Sequence, residues 1–296
     1  MPELPDITVY TQRLQALVQG RVLQRARMLN AFVLRTAVPP ISGVDGQTVV
    51  AVERLGKRIV LALSDGTLLL IHLMIAGRLR WLAPGGKLPG KLTLASFEFD
   101  NGLLVLTEAG TTRRASIHLL ADRAALQAAD PGGIDVMVCS AAAFNERLRS
   151  ENHTLKRALT DPHLFSGIGN AYSDEILHRA KLSPLALTKT LPEDAAQRLF
   201  DATRQVLQTW TDTLRAEATT RPNQWPDKVT AFHPGMAVHG RYGQPCPVCG
   251  APVQRIVHAS NESNYCARCQ TGGKLLADRA LSRLLKASWP KTIDDL

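Results

Sequence analysis

The chain has 296 residues, 45% of them hydrophobic, which exceeds what one small core needs and points to two domains. Its 35 Lys and Arg against 26 Asp and Glu give a formal charge of +9, a balance suited to a polyanion such as nucleic acid or an anionic membrane surface. No apolar run reaches the roughly 18 residues of a membrane span, and the start lacks the basic and apolar regions of a signal peptide, so a cytoplasmic protein is expected.

The opening MPELPD has two readings. Pro2, Leu4 and Pro5 can be an extended lead-in to a helix capped by Asp6. Alternatively, removal of Met1 exposes a secondary amine on Pro2, with the Glu3 carboxylate beside it as acid or base. The next segment places Ile7, Tyr10, Leu14, Leu17 and Val18 at helical spacing, with Gly20 as its stop. From about Arg21 to Leu120 short Leu-rich and β-branched runs replace that pattern, and DG and NG pairs between them signal hairpins. Residues 1–130 are therefore expected to form an antiparallel sandwich or barrel with one leading helix. After ADPGGIDVMVCS the pattern turns helical, and residues 131–235 read as a helical domain. Its longest helix starts near Pro192, with Thr190 and Glu193 as a candidate capping box. The sequence sets residues 236–273 apart as a cysteine-bearing hairpin. It leaves 274–296 as a C-terminal extension whose Leu and Ala spacing suggests an amphipathic helix.

Three motifs carry chemistry. Cys246 and Cys249 are followed, after sixteen residues, by Cys266 and Cys269. That spacing suits four thiolates around one tetrahedral, structural Zn2+. A pair of redox CxxC motifs is the alternative, and no thioredoxin-like βαβ pattern surrounds them. Cys139 stands alone and reads as structural. In LFSGIGNAYSDEIL, Gly167 and Gly169 frame a turn before a helix starting near Asn170. Such a turn is either a phosphate site at a helix N-terminus or an ordinary helix hairpin capped by Asn170. Basic residues also interrupt the sheet-forming runs: Lys57 follows Gly56, His72 sits within LLLIHLMIAG, and Arg113 and Arg114 form a pair. Taken singly, each of these, like Lys156 upstream of the turn, is a satisfied core histidine or a solvated cation.

In this order, MPELPD, GKRIV, HLMIAGRL, GIGNAYSDEILHRAKLSP and the four-cysteine finger resemble the Fpg/Nei family, the formamidopyrimidine-DNA glycosylases and endonuclease VIII-like enzymes. The resemblance runs from Met1 to about Gln270. It implies an α+β multidomain fold: an N-terminal antiparallel β-sandwich with a leading helix, a helical helix-two-turns-helix domain and a C-terminal four-cysteine zinc finger. It also implies a bifunctional DNA glycosylase and AP lyase of base excision repair, acting on oxidised or ring-opened bases and cutting the abasic site by β,δ-elimination. By position, Pro2 would form the Schiff base and Glu3 would move protons, with Lys57 counted among the catalytic residues as well as the phosphate contacts. His72 and Asn170 match phosphate-binding positions, and Lys156 matches a lysine near the lesion pocket. The finger-tip position holds Asn261 where the family has arginine, which removes a charge-assisted clamp. Of the residues that fill the gap left by a flipped base, Ile75 (or Met74 with a one-residue slip) and Arg113 match. Ala115 stands where a phenylalanine wedge is implied.

Without that wedge, poor opposite-base discrimination and a lean toward single-stranded or distorted DNA are expected. The expected substrates are oxidised pyrimidines, ring-opened purines or abasic sites. The partners would be damaged DNA and no membrane, the protein monomeric, cytoplasmic and nucleoid-associated. A catalytically weak member of the same fold that binds damaged or single-stranded DNA is the alternative. Retention of Pro2 and Glu3 argues for the enzyme, since a pure binder needs no terminal amine.

Overall fold

The computed structural model describes residues 1–110, 112–226, 232–258, 261–277 and 290–295, with the backbone alone at 258 and 261. They form two compact units, Met1–Pro131 with Trp210–Thr230, and Gly132–Thr209 with Ala231–Leu296.

In the first unit, helix α1 (Leu4–Val18) fully buries Ile7, Tyr10, Leu14 and Val18, the stripe that the helical spacing anticipates. Its N-cap is Glu3, and Asp6 lies at the third helical position, one turn later than the capping role read from the sequence. There Asp6 Oδ2 accepts the Glu3 amide at 2.8 Å, as the acidic half of a capping box does. The chain continues through β1 (Arg25–Met28), β2 (Val49–Leu55), β3 (Arg58–Leu63), β4 (Leu68–His72), β5 (Gly77–Leu82), β6 (Thr93–Phe99), β7 (Gly102–Glu108), β8 (Ser116–Leu120) and the short helix α2 (Arg123–Ala128).

The strands make two four-stranded sheets, ordered β1-β6-β7-β5 and β2-β3-β4-β8, with every pairing antiparallel. The DG and NG pairs fall at the β3–β4 and β6–β7 turns. Alternation sends Ile59, Leu61, Ile71 and Ile117 of one sheet, and Leu79, Phe97, Leu104 and Leu106 of the other, into one core with α1. Gly102 is needed there, because a Cβ would lie 2.5 Å from the Trp81 ring. Trp225, from the returning segment, donates its Nε1 to the Leu79 carbonyl at 3.1 Å, and its ring lies 5.5 Å from that of Tyr10. The helix that starts just after Glu3 is thus packed against the sheets and Trp225 in one core.

The second unit holds α3 (Ala141–Arg149), α4 (Leu155–Thr160), α5 (Asn170–Ala180), the first part of α6 (Glu193–Thr219), the hairpin β9 (Gln254–His258) and β10 (Asn261–Tyr265), and α7 (Ala267–Thr271). Phe144 binds the helices together, its ring 4.6 Å from Phe165 and 5.4 Å from Phe200. Helix α6 starts at Glu193, and Pro192, not Thr190, supplies the first helical carbonyl, to Ala196. Leu191 is extended, as the residue before a proline must be, so Thr190 cannot reach the capping position. The chain after the last cysteine folds back: Ile293 donates its amide to Gly273 and Leu275 to Lys291. Leu275 and Ile293 thereby join Tyr265 in the hairpin's core. Most of the expected amphipathic helix, residues 278–289, lies outside the described residues.

Candidate functional site

The first unit gathers titratable groups around the start of α1. Pro2 is buried, and Glu3 and Asp6 are 2% and 3% exposed. Burial lowers the basicity of the Met1 amine most, Arg78 and Lys57 add to that, and Glu3 and Asp6 oppose it. Any amine at this point therefore sits between two acids and two cations. Burial also pushes the Asp6 carboxyl up to about 7, against the pull of the Glu3 amide, and Asp6 Oδ1 has no hydrogen-bond partner among the described residues. A carboxyl that titrates near neutrality beside an amine can hold or release a proton there.

Lys57 enters this field from the tight β2–β3 turn, where Gly56 takes φ +60°. Arg78 lies at the start of β5, and its Nη1 donates to the carbonyls of Ile75 at 3.1 Å and Gly77 at 2.7 Å. It thus clamps the turn that carries Met74, at φ +53°, and the exposed Ile75. Gly77 closes that turn because a Cβ would lie 2.2 Å from the Leu73 carbonyl oxygen. His72 ends β4 opposite Arg58 and Ser116. Burial, then the charges of Arg58, Lys57 and His118, push it down to about 4, so it is neutral. Its buried Nε2 has no hydrogen-bond partner among the described residues.

Arg113 is exposed and donates to the Lys91 carbonyl at 2.7 Å, whereas Ala115 is buried and offers no wedge. The loop between them and β7 is held by the buried Glu108, which accepts the Arg114 amide at 3.0 and 2.9 Å on its two oxygens and the Ala115 amide at 3.0 Å. Glu108, Arg78 and Asp6 were not singled out as site residues from the sequence. An acid closing the buried strand β7 just before Gly110 and the arginine pair was the signal for Glu108.

In the second unit, Gly167 takes φ +86° and Gly169 is the N-cap of α5, so Asn170 is its first helical residue. The Asn170 carbonyl accepts Lys156 Nζ at 2.7 Å, which joins these two sequence-predicted residues. Lys156 also pairs at 2.6 Å with Asp174, a fully buried carboxylate that lies 2.8 Å from His239 Nδ1 and accepts Asn264 Nδ2 at 3.3 Å. Next to it, Glu175 accepts the amides of Ala237, Val238 and His239 at 2.7 to 2.9 Å. Burial pushes the Glu175 carboxyl up while these three amides pull it down. Helix α5 is thus fastened to the segment that leads into the finger and, through Asn264, to β10. Asn261 opens β10 opposite His258, and its side chain lies outside the described part.

The four cysteine sulfurs all lie within 4.8 Å of one another, with Cys246 and Cys269 at 3.9 Å and Cys249 and Cys266 at 3.3 Å. Four thiolates about 2.3 Å from one tetrahedral ion would stand about 3.8 Å apart, so the donor set fits zinc and leaves no open position. His178 Nε2 lies 3.3 Å from Cys246 Sγ, where a ring N–H would support a thiolate.

Comparison with known proteins agrees with this architecture. The formamidopyrimidine-DNA glycosylase N-terminal domain matches residues 1–114, the H2TH domain of the same enzymes matches 134–220, and the zinc finger found in FPG and IleRS matches 243–272. The chain is 32% identical over 285 residues to a formamidopyrimidine-DNA glycosylase of Thermus thermophilus, covering 92% of this chain and 100% of that one. The crystal structure of the MutM (Fpg) protein from Thermus thermophilus superposes with a TM-score of 0.73 at 29% identity, over 91% of this chain and 98% of that one. Lactococcus lactis Fpg in complex with abasic-site DNA gives a TM-score of 0.80 at 23% identity, over 91% and 99% of the two chains, a likeness of fold.

Proposed function

This chain belongs to the formamidopyrimidine-DNA glycosylase family, and on that premise we propose that it is a bifunctional DNA glycosylase and AP lyase of base excision repair. The observation that carries the reading is the amine at the head of α1, held among Glu3, Asp6, Arg78 and Lys57. Once Met1 is removed, that amine is the secondary amine of Pro2. Its neutral form attacks the sugar C1′, the damaged base leaves with the bonding electrons, and an iminium links Pro2 to the opened sugar. Glu3 takes and returns protons as the ring opens and the phosphates are eliminated in β and then δ steps. Burial favours the neutral, nucleophilic amine, as its effect on the Met1 amine indicates.

Lys57, His72 and Asn170 hold backbone phosphates, which offsets the few kcal/mol needed to flip a nucleotide. Lys156 orients the first turn of α5 through the Asn170 carbonyl. Arg113 and Ile75 occupy the space of the departed base. With Ala115 buried, no aromatic ring stacks on the orphaned opposite base, so the reading favours oxidised pyrimidines, ring-opened purines and abasic sites in distorted or single-stranded DNA. Zn2+ on Cys246, Cys249, Cys266 and Cys269 folds the finger and takes no part in chemistry.

Borohydride trapping on an abasic-site oligonucleotide tests this. Processed wild type should form a covalent adduct, Pro2→Gly should form none, and Glu3→Gln should form less. A form retaining Met1 should be silent, and an adduct from it would move the nucleophile to a lysine. Absence of adduct from processed protein would leave the second reading, a damaged-DNA binder, which the missing wedge at Ala115 favours. Equal or better trapping on single strands is expected, and a strong duplex preference would count against the substrate assignment.

A further inference from the structure

The outer face of the β2-β3-β4-β8 sheet changes character along its length. Val60, Ala62, Leu68 and Leu70 are covered by Leu126 and Ala129 at α2. The cover stops at Ala129, whose carbonyl accepts Arg58 Nη2 at 3.0 Å. Beyond it the same face turns basic. Arg58 stands opposite His72, which stands opposite Ser116, and His118 follows one pleat along β8 opposite Leu70. Their odd-numbered neighbours Ile59, Ile71 and Ile117 point into the core, so these residues share the outer face.

The row continues past the sheet edge. Leu34 forms a parallel bridge to Ile117 and packs on the core, and the Arg35 amide donates to the Ile117 carbonyl at 2.8 Å. Arg35 therefore takes the outer face beside His118, and its charge acts on that ring. Thr36 Oγ1 accepts the Leu119 amide at 2.8 Å, which pins the segment.

Among the described residues, Asp130 acts on Arg58, while the neighbours that shift His72 and His118 most, after burial, are Arg58 with Lys57 and His118 for the first, and Arg58 with Arg35 for the second. His72 Nε2 and His118 Nδ1 have no hydrogen-bond partner among the described residues. One basic side chain on each of three neighbouring strands, with Arg35 beyond the edge, makes a row of roughly 14 Å at the usual strand spacing. One DNA strand advances only ~3.4 Å along the axis per phosphate, so the row is longer than one phosphate contact needs.

We propose that Arg58, His72, His118 and Arg35 form a phosphate track that carries one DNA strand past His72 toward the β8 edge. Its outer half, His118 and Arg35, binds one or two phosphates remote from the reacting sugar. This rests on the reading of the chain as a DNA enzyme. The track supplies backbone affinity that the finger tip, with Asn261 in place of a cation, does not.

The test is fluorescence anisotropy with a duplex carrying a tetrahydrofuran abasic analogue, measured from 50 to 200 mM salt, with single methylphosphonates replacing successive phosphates. The Arg35→Ala/His118→Ala protein should bind about 10-fold more weakly at 100 mM salt. Its log–log salt slope should be shallower by about one, from the loss of the Arg35 charge, and it should ignore one or two neutral linkages that weaken the wild type. Arg35→Lys should keep the wild-type slope. The exposed Arg35 can be tested alone through Arg35→Ala, should the double variant fold poorly. An unchanged slope with the same sensitive linkages would overturn the track while leaving the glycosylase reading intact. A wild type that binds no DNA at 50 mM salt would overturn both.

Discussion

Lys156 Nζ lies 2.6 Å from Asp174 Oδ1 and 2.7 Å from the Asn170 carbonyl, so the lysine matched to a lesion-pocket position is bound across the first turn of α5. The pair is nearly dry, with the carboxylate fully buried and the lysine side chain 12% exposed.

Breaking that pair should therefore be expensive. Asp174→Asn leaves Lys156 charged without its counter-ion and should destabilise the protein by about 3–5 kcal/mol. Lys156→Met should cost less, because His239 and Asn264 still face Asp174. Urea unfolding of both singles and of the double variant measures the coupling, which should exceed about 1 kcal/mol.

Asp6 predicts an unusual pH dependence. Its folded carboxyl titrates near 7 against a reference of 3.8, so the native state binds the proton more tightly than the unfolded chain. That contribution is fully present below about pH 4, declines as pH rises toward 7, and is absent above it. Asp6→Asn keeps an acceptor for the Glu3 amide without the ionisation. It should gain stability over wild type progressively from pH 4 to 7, by chemical denaturation at each pH.

Glu108 holds the Arg113 loop through backbone amides alone. Glu108→Ala should leave the buried Ala115 amide unpaired and cost about 1–3 kcal/mol. Amide exchange at Arg114 and Ala115 should accelerate more than exchange in the β6–β7 core. Glu108→Gln retains one carbonyl acceptor and should fall between the two.

The finger should carry one zinc per chain, released by acid as the thiolates protonate. Cys246→Ser should lower the zinc content and DNA affinity together. Burial pushes the metal-free Cys266 thiol up to about 11, so ion binding must displace protons, and pH-indicator titration of metal into the apo protein should detect their release.

Much of this was legible in the linear order. The short Leu-rich and β-branched runs, such as RIVLAL and LLLIH, and the DG and NG pairs between them predicted strands and hairpins. The cysteine spacing predicted a metal centre because four thiolates at two short separations can close on one ion. The resemblance pointed to Pro2, Glu3, Lys57, His72 and Asn170 by position.

Local pattern by itself pointed to the elements and the finger, since period, turn chemistry and ligand spacing act over a few residues, whereas the choice of the candidate amine came from the resemblance. Only the tertiary structure decided the partners. Asp6 became the N3 half of a capping box and a buried acid near neutrality, instead of the N-cap, because the start of α1 is packed away from water. Glu108 came to hold a loop six and seven residues away, and Asp174 met His239 across 65 positions. Arg35 reached His118 only because its segment extends the β8 edge. These effects depend on burial and on register between distant strands, quantities that a linear sequence does not contain.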